Sequence, residues 1–255
     1  WRLLSGYRGR AEIGRSGAKE GLRLTAHGSR LPCESIGAPS GMAVVASKPE
    51  AEIFSEMHDI PLDRFSFVRW SYDLPRLEGH FDAPDRPYFC LIGRNNRDHA
   101  TFCAALEGMA ADGVIVAHTP PGLALPPNVR ALAEIPLADC IDCIRHAVAN
   151  VILVQDADRG AGHITIVTAM HCGRPQIISD VDTALDYFIP GVHALTVPLG
   201  DVQAVRAAMQ ALLDDPGRAD RMGAAAADYA ARELSHARRS EILQERLRTW
   251  LDTGR

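Results

Sequence analysis

Residues 151–179 read VILVQDADRGAGHITIVTAMHCGRPQIIS, and the fold turns on how they are read. Val151, Ile152, Leu153 and Val154 form an apolar run with no polar alternation, which predicts a strand buried on both faces. Residues 155–162 follow as a polar, glycine-rich loop. Residues 163–171 read as a helix, and Gly173 stands where a C′ stop belongs. Pro175, Gln176, Ile177 and Ile178 read as the next buried strand. Strand, glycine loop, helix and strand in this order make the unit that builds parallel sheets with right-handed crossovers.

Gly160 and Gly162 have two uses at that loop. The first turn of a helix leaves backbone N–H groups without partners, and its dipole makes that end positive. Glycines there remove the Cβ atoms that would hold a phosphate away, so the amides of His163, Ile164 and Thr165 are placed to cradle a diphosphate. The other use is only to permit a tight turn. Neither GxGxxG nor GxxxxGK[ST] spacing is present, so neither a dinucleotide fingerprint nor a P-loop is predicted, and an oxidoreductase is disfavoured.

The rest of the chain extends the pattern. Residues 42–46 read as a strand, with Ser47 as N-cap, Pro49 early in the following helix and Glu50 completing a capping box. Ile60-Pro61 ends that helix, and residues 65–68 form another strand. Residues 73–87 hold Pro75, Gly79, Pro84 and Pro87 among charges, the best linker candidate, drawn at 75–87. Strands are predicted at 88–92, 114–117, 129–132 and 194–197, and helices at 98–111, 137–149, 183–188 and 201–213. Ala-rich helices follow to the C-terminus. Such alternation predicts a doubly wound α/β domain.

At 255 residues the chain can bury one large core or two small ones. A net charge of −5 argues against a nucleic-acid partner. The sequence holds neither an apolar run of about 18 residues nor a signal-like start, so a cytoplasmic protein is expected, or one peripheral at the inner face of a membrane. Residues 1–41 are irregular and Arg/Gly-rich and read as a solvated arm; Trp1 reads as a processed, truncated or unusual start. Cys33, Cys90, Cys103, Cys140, Cys143 and Cys172 suit reduced thiols. Cys140 and Cys143 form a CxxC without a second pair, which reads as a helix face rather than a metal or redox site.

A second constellation lies at 91–98, LIGRNNRD. Ligands in open α/β sheets bind beyond the carboxyl ends of the strands, so Arg94 and Arg97 are expected on the rim that carries Gly160 and Gly162. Two guanidiniums beside a helix N-terminus suit a diphosphate. The alternative is that one or both are solvated, or paired with Asp98 or Asp158. His163 reads either as a phosphate neighbour or as a surface histidine, His171 as structural, and Asp180 and Asp182 as caps of the short helix that follows them.

These landmarks, in order, resemble the donor-binding half of retaining GT-B-fold glycosyltransferases of the family-4 kind that use nucleotide-diphosphate sugars. The resemblance runs over residues 42–231. It rests on Ala43-Val44-Val45-Ala46-Ser47 with Glu50-Ala51, on Ile92-Gly93-Arg94 with Arg97-Asp98, and on Gly162 with Thr168-Ala169-Met170. Cys172-Gly173-Arg174-Pro175, Pro190-Gly191 and Arg221-Met222-Gly223 complete it. It implies a Rossmann-like doubly wound parallel sheet at 88–232, preceded by an incomplete α/β remnant of an acceptor domain at 42–74 and followed by a C-terminal helix at 233–255.

The resemblance further implies that Arg94, Arg97, Gly160, Gly162, His163 and Ile164 hold the donor diphosphate. Thr168, Glu134, Ile135 and Leu137 would lie by the ribose and base. No metal and no cofactor beyond the sugar nucleotide are implied, and no catalytic residue is assigned. The acceptor would be a glycan, a lipid or a small molecule, as in polysaccharide biosynthesis. The family commonly carries two glutamates eight positions apart; here those positions are Gly160 and Thr168. Asp156 or Asp158 is the substitute expected near the sugar. A donor-binding half that needs a partner chain for its acceptor domain is the alternative function, and a nucleotide-sugar epimerase a weaker one.

Overall fold

A computed structural model describes residues 42–119, 122–157 and 160–253. The expectation for residues 1–41, with Cys33, lies outside the described residues, as does Asp158. Six parallel strands form the main sheet, β3 (Tyr88–Ile92), β4 (Asp112–Val116), β5 (Val129–Leu132), β6 (Ala149–Ile152), β7 (Gln176–Ser179) and β8 (Ala194–Val197). They lie in the order β5-β4-β3-β6-β7-β8. Counted from β3, that is the doubly wound order, with its reversal between β3 and β6. The expected fold class is the observed one.

Side-chain alternation assigns the two faces. Phe89 and Leu91 of β3 pack with Phe102 and Leu106 of helix α2 (His99–Leu106) and with Val205 and Met209 of helix α6 (Val202–Asp214). Cys90 and Ile92 face the other way, onto Cys143 and Ile144 of helix α3 (Leu137–His146). On that second face Val167 and Met170 of helix α4 (His163–His171) pack with Ala226 and Ala230 of helix α7 (Pro216–Glu233). The sheet is covered on both sides, which is why β3 reads as an unbroken apolar run.

One boundary moved. The helix expected at 137–149 stops at His146, and β6 begins at Ala149, two residues before the expected strand. Ala147, Ala149 and Asn150 carry no β-branched signal, yet all are fully buried. Asn150 earns its place by pairing. Its Nδ2 donates to Gln176 Oε1 at 3.2 Å, its Oδ1 lies 3.7 Å from Cys90 Sγ, and Gln176 Nε2 donates to the Ile166 carbonyl at 3.3 Å. A polar rung thus runs across three neighbouring strands inside the core.

Helix α4 ends as its glycine predicts. Gly173 takes φ 66°, its N–H donates to the Met170 carbonyl and that of Arg174 to the Ala169 carbonyl, a Schellman closure. One further expectation is corrected. Asp180 and Asp182 do not cap helix α5 (Asp182–Leu185): its N-cap is Val181, without a side-chain bond. The CxxC is a helix face, as expected, with Cys140 and Cys143 both on α3. The five described cysteines are all free thiols.

The segment before the main sheet is a small parallel pair, β1 (Ala43–Val45) and β2 (Phe65–Phe67), joined through helix α1 (Lys48–His58). It is fastened to α5 through two residues. The Lys48 N–H donates to Asp186 Oδ2 at 2.8 Å, and Arg69 Nε donates to the Asp186 carbonyl at 2.6 Å. The Tyr187 hydroxyl donates to the Ala46 carbonyl at 2.7 Å and accepts from Trp70 N–H at 2.8 Å. Tyr187→Phe removes both bonds from a fully buried ring, and a loss of about 2 kcal/mol in unfolding free energy by denaturant titration is expected.

The expected linker has no regular structure from 75 to 87, but it lies against α3. His80 N–H donates to Asp139 Oδ1 and Phe81 N–H to Asp142 Oδ2. A Cβ on Gly79 would sit 2.5 Å from the Ala138 carbonyl oxygen, so only glycine fits the crossing. Helix α8 (His236–Thr253) closes the chain, with the Arg239 guanidinium 5.1 Å above the Trp70 ring. Among the described residues, no helix is long and apolar enough to cross a membrane.

Candidate functional site

The loops after β3 and β6 meet at the sheet's reversal point, where doubly wound folds bind ligands. Between them is a cavity of about 450 Å³ lined by Gly93, Arg94, Arg97, Gly160, Gly162 and His163, with Ile164 and Thr165 behind them. The six residues expected at the diphosphate, Arg94, Arg97, Gly160, Gly162, His163 and Ile164, thus share one wall system. Asn95, Ala46 and Trp70 line it as well. The latter two come from the β1–β2 segment and carried no signal in the sequence beyond an isolated tryptophan.

Gly162 is the N-cap of α4, with φ 93°. That left-handed backbone favours glycine, and a Cβ would fall 2.8 Å from Ile152 Cγ2 and 3.1 Å from Arg97 Nη2. Intrahelical bonding begins with Ile166 N–H donating to the Gly162 carbonyl. The amides of His163, Ile164 and Thr165 are the helix's leading N–H groups, and all three residues border the cavity.

Arg97 lies beneath them and is only 5% exposed. Its Nε donates to the Ile92 carbonyl at 3.4 Å and its Nη1 to the Asn95 carbonyl at 3.0 Å. Among the described residues no carboxylate pairs with it. Burial alone pulls its pKa down to about 10, so it remains a cation at neutral pH. Asp98, the partner weighed for it, is engaged elsewhere: its side chain accepts from Thr101 N–H and Oγ1 and caps α2. Arg94 is exposed on the rim.

The two loops are tied together. Asn96, in the left-handed region at φ 52°, donates through Nδ2 to the Asp156 carbonyl at 2.9 Å and accepts from Asp156 N–H at 3.3 Å. Asp156 is therefore a loop fastener, also bonded through its carboxylate to Asn96 Nδ2 at 3.3 Å.

His163 is neither a surface histidine nor a side chain on the phosphate. Its ring is buried, stacks on Tyr187 at 4.5 Å and 12°, and its Nε2 lies 2.9 Å from the Thr183 carbonyl, to which it donates. Its amide is one of the leading N–H donors of α4, and the residue borders the cavity. Burial lowers its pKa below the ordinary 6.5, and Arg97 adds to this against the opposing Thr183, Glu50 and Asp186. His99 and His193 are lowered for the same first reason. Depressed histidines leave the unfolded chain to take up protons first as pH falls. Stability is therefore full above about pH 6.5 and declines below it. The melting temperature is expected to drop between about pH 7.5 and 5.5, and less so in His163→Gln.

The residues expected near ribose and base stand apart from the cavity lining. Thr168 is buried one turn and a half into α4, its Oγ1 donating to the Ile164 carbonyl at 2.6 Å and paired with the Tyr72 hydroxyl. Glu134 is exposed beyond β5, 3.3 Å from the His118 ring; Ile135 follows it, and Leu137 opens α3 with its side chain exposed. His171 is structural, its Nε2 3.3 Å from the Leu234 carbonyl. Among the described residues, no group of three His, Cys, Asp or Glu is placed to hold a metal ion.

Residues 122–229 match the family described as Glycosyl transferases group 1. No curated protein sequence gives a significant match. Among solved structures, sucrose-phosphate synthase from Thermosynechococcus elongatus superposes with a TM-score of 0.66 at 20% identity, covering 82% of this chain and 58% of that one. Anabaena HepE in complex with UDP-glucose gives 0.69 at 13%, covering 82% and 64%. A glycosyltransferase from Rickettsia africae gives 0.67 at 12%, covering 86% and 65%. The chain thus spans about three-fifths of the length of these structures, and it shares their fold. The family match falls within the Rossmann-like sheet and its helices, and what the chain shares with these structures is that fold.

Proposed function

We propose that the chain carries the donor site of a retaining, metal-independent glycosyltransferase that moves a hexose-like unit from a nucleotide-diphosphate sugar to an acceptor hydroxyl. The observation that carries this reading is Arg97, a buried guanidinium with no carboxylate partner among the described residues, beside the leading amides of a glycine-capped helix. A desolvated cation of this kind gains most when an anion arrives to pair with it. A diphosphate fits, because it takes two parallel N–H bonds from a guanidinium and more from a helix N-terminus.

During transfer the bond between the anomeric carbon and the β-phosphate oxygen breaks, and negative charge collects on the departing diphosphate. Arg97, Arg94 and the amides of residues 163–165 are positioned to stabilise that charge as it develops. The acceptor hydroxyl attacks from the face the diphosphate leaves, and its proton passes to the departing oxygen. Glu134, Ile135 and Leu137, at the far end of the strand rim, are proposed for the base side. A ribose contact from Thr168 requires its hydroxyl to leave the Ile164 carbonyl. The acceptor, a glycan, lipid or small molecule, and any role in polysaccharide biosynthesis belong to this same proposal.

Calorimetric titration with UDP, GDP and ADP tests the donor site, and UDP comes first because the Anabaena neighbour was solved with UDP-glucose. Transfer assays with the sugars of the nucleotide that binds then test the reaction. Absence of binding by all three overturns the reading. A second reading, donor binding without turnover, is favoured by Gly160 and by the engaged hydroxyl of Thr168, which leave no charged side chain at those two positions. Binding without transfer, or a copurifying chain that restores transfer, selects it.

A further inference from the structure

Glu50 stands in the first turn of α1, in the segment before the main sheet, yet its carboxylate reaches the donor cavity's wall. One oxygen, Oε2, accepts from Ala46 N–H at 3.2 Å and Ser47 N–H at 3.0 Å. That fixes the orientation of the group. The other oxygen, Oε1, makes no hydrogen bond or ion pair with any described residue. It lies against Gly160: a Cβ built there would be 2.6 Å from Glu50 Oε1 and 2.5 Å from His163 Cε1. Gly160 has no left-handed backbone to account for it. What its missing side chain provides is room for an approaching carboxylate.

Gly160, His163 and Ala46, the immediate neighbours of this carboxylate, all line the cavity. The chemistry of the cavity is divided. The α4 N-terminus and Arg97 attract anions, whereas a carboxylate oxygen repels phosphate and accepts hydrogen bonds from hydroxyl groups. In a nucleotide-diphosphate sugar the hexose is attached to the β-phosphate, so its hydroxyls fall within a few bonds of the anion.

Resting on the donor-site reading above, we propose that Glu50 Oε1 accepts a hydrogen bond from a hydroxyl of the donor's sugar. Glu50 thereby determines sugar specificity from an element outside the Rossmann-like sheet. Its capping bonds to Ala46 and Ser47 hold the acceptor oxygen in place before the ligand arrives, so little ordering accompanies binding. Gly160→Ala places a methyl group between the carboxylate and the cavity and displaces the acceptor while keeping the carboxylate that caps α1 in the chain.

The test measures the affinity of the full chain for UDP, GDP and ADP and for UDP-, GDP- and ADP-glucose. Its readout is the ratio of sugar-nucleotide to nucleotide affinity. Glu50→Gln is expected to lower that ratio about tenfold, the worth of a charge-assisted hydrogen bond. Gly160→Ala is expected to lower it in the same direction, and it provides the answer should the change in the α1 cap unfold Glu50→Gln. An unchanged ratio in the folded variants overturns the role of Glu50 and leaves the diphosphate site standing. A wild-type chain that binds none of the three nucleotides overturns the donor-site reading and this assignment with it.

Discussion

Arg97→Met is expected to bind the nucleoside diphosphate on the order of 10²–10³-fold more weakly than the wild-type chain, with unliganded stability shifted by no more than about 1 kcal/mol. The two halves of that result have separate causes. In the unliganded protein the guanidinium is desolvated with no carboxylate partner among the described residues, a cost its bonds to the Ile92 and Asn95 carbonyls offset. Removing charge and bonds together leaves a small balance. With ligand bound, a buried Arg–phosphate pair is scarcely screened, and two charge-assisted bonds vanish at once. Arg97→Lys keeps the charge but not the planar fork, so it should recover only part of the affinity. Calorimetry on the three proteins checks this. Equal affinity in Arg97→Met would show that the diphosphate does not sit at the α4 N-terminus.

Gly223→Ala is expected to destabilise the fold by about 3 kcal/mol, the opposite sign from the usual effect of this change inside a helix. Alanine normally stabilises such a position by about 1 kcal/mol relative to glycine. Here a Cβ would lie 2.1 Å from the Gly173 carbonyl oxygen and 2.9 Å from its carbon, both main-chain atoms that no rotamer change can move. Helix α7 would have to lift away from the end of α4, loosening Met222, Ala226 and Ala230 from the core. Gly217→Ala, in the first turn of the same helix, is the control. Its Cβ meets only the tips of Arg221 and Asp215, and its effect should be small. Urea unfolding of both variants decides the matter: a stabilised Gly223→Ala would mean that α7 does not rest on the 173 turn.

Much of this arrangement could be read from the sequence, for physical reasons that differ by place. The 151–179 unit was legible because each of its signals is local: a β-branched run, a glycine at φ 93° before a helix, and a second glycine at φ 66° closing it. Arg94 and Arg97 could be placed on the same rim because parallel topology brings strand ends together. The start of β6 was not legible, since Ala149 and Asn150 are in the sheet through partners on β3 and β7. The His163 side chain was misread because its partners, Thr183 and Tyr187, are some twenty residues away in sequence. Glu50 presents as a helix cap and is one; only the fold shows its second oxygen against Gly160.

The buried rung formed by Cys90, Asn150 and Gln176 bears on how the chain finds its sheet. Parallel strands have no hairpin turn to fix their alignment, and runs such as Val151-Ile152 or Ile177-Ile178 slide past one another with little change in apolar contact. Amides do not slide so freely. A shift of one residue would leave the Asn150 and Gln176 carboxamides in a dry interior without each other, at a penalty of about 1–3 kcal/mol for each unmet group. Misaligned assemblies of β3, β6 and β7 are thus raised in free energy while the apolar strands around them remain indifferent. Replacing both amides with leucine should leave a protein that still collapses, but one that populates several alignments as it refolds.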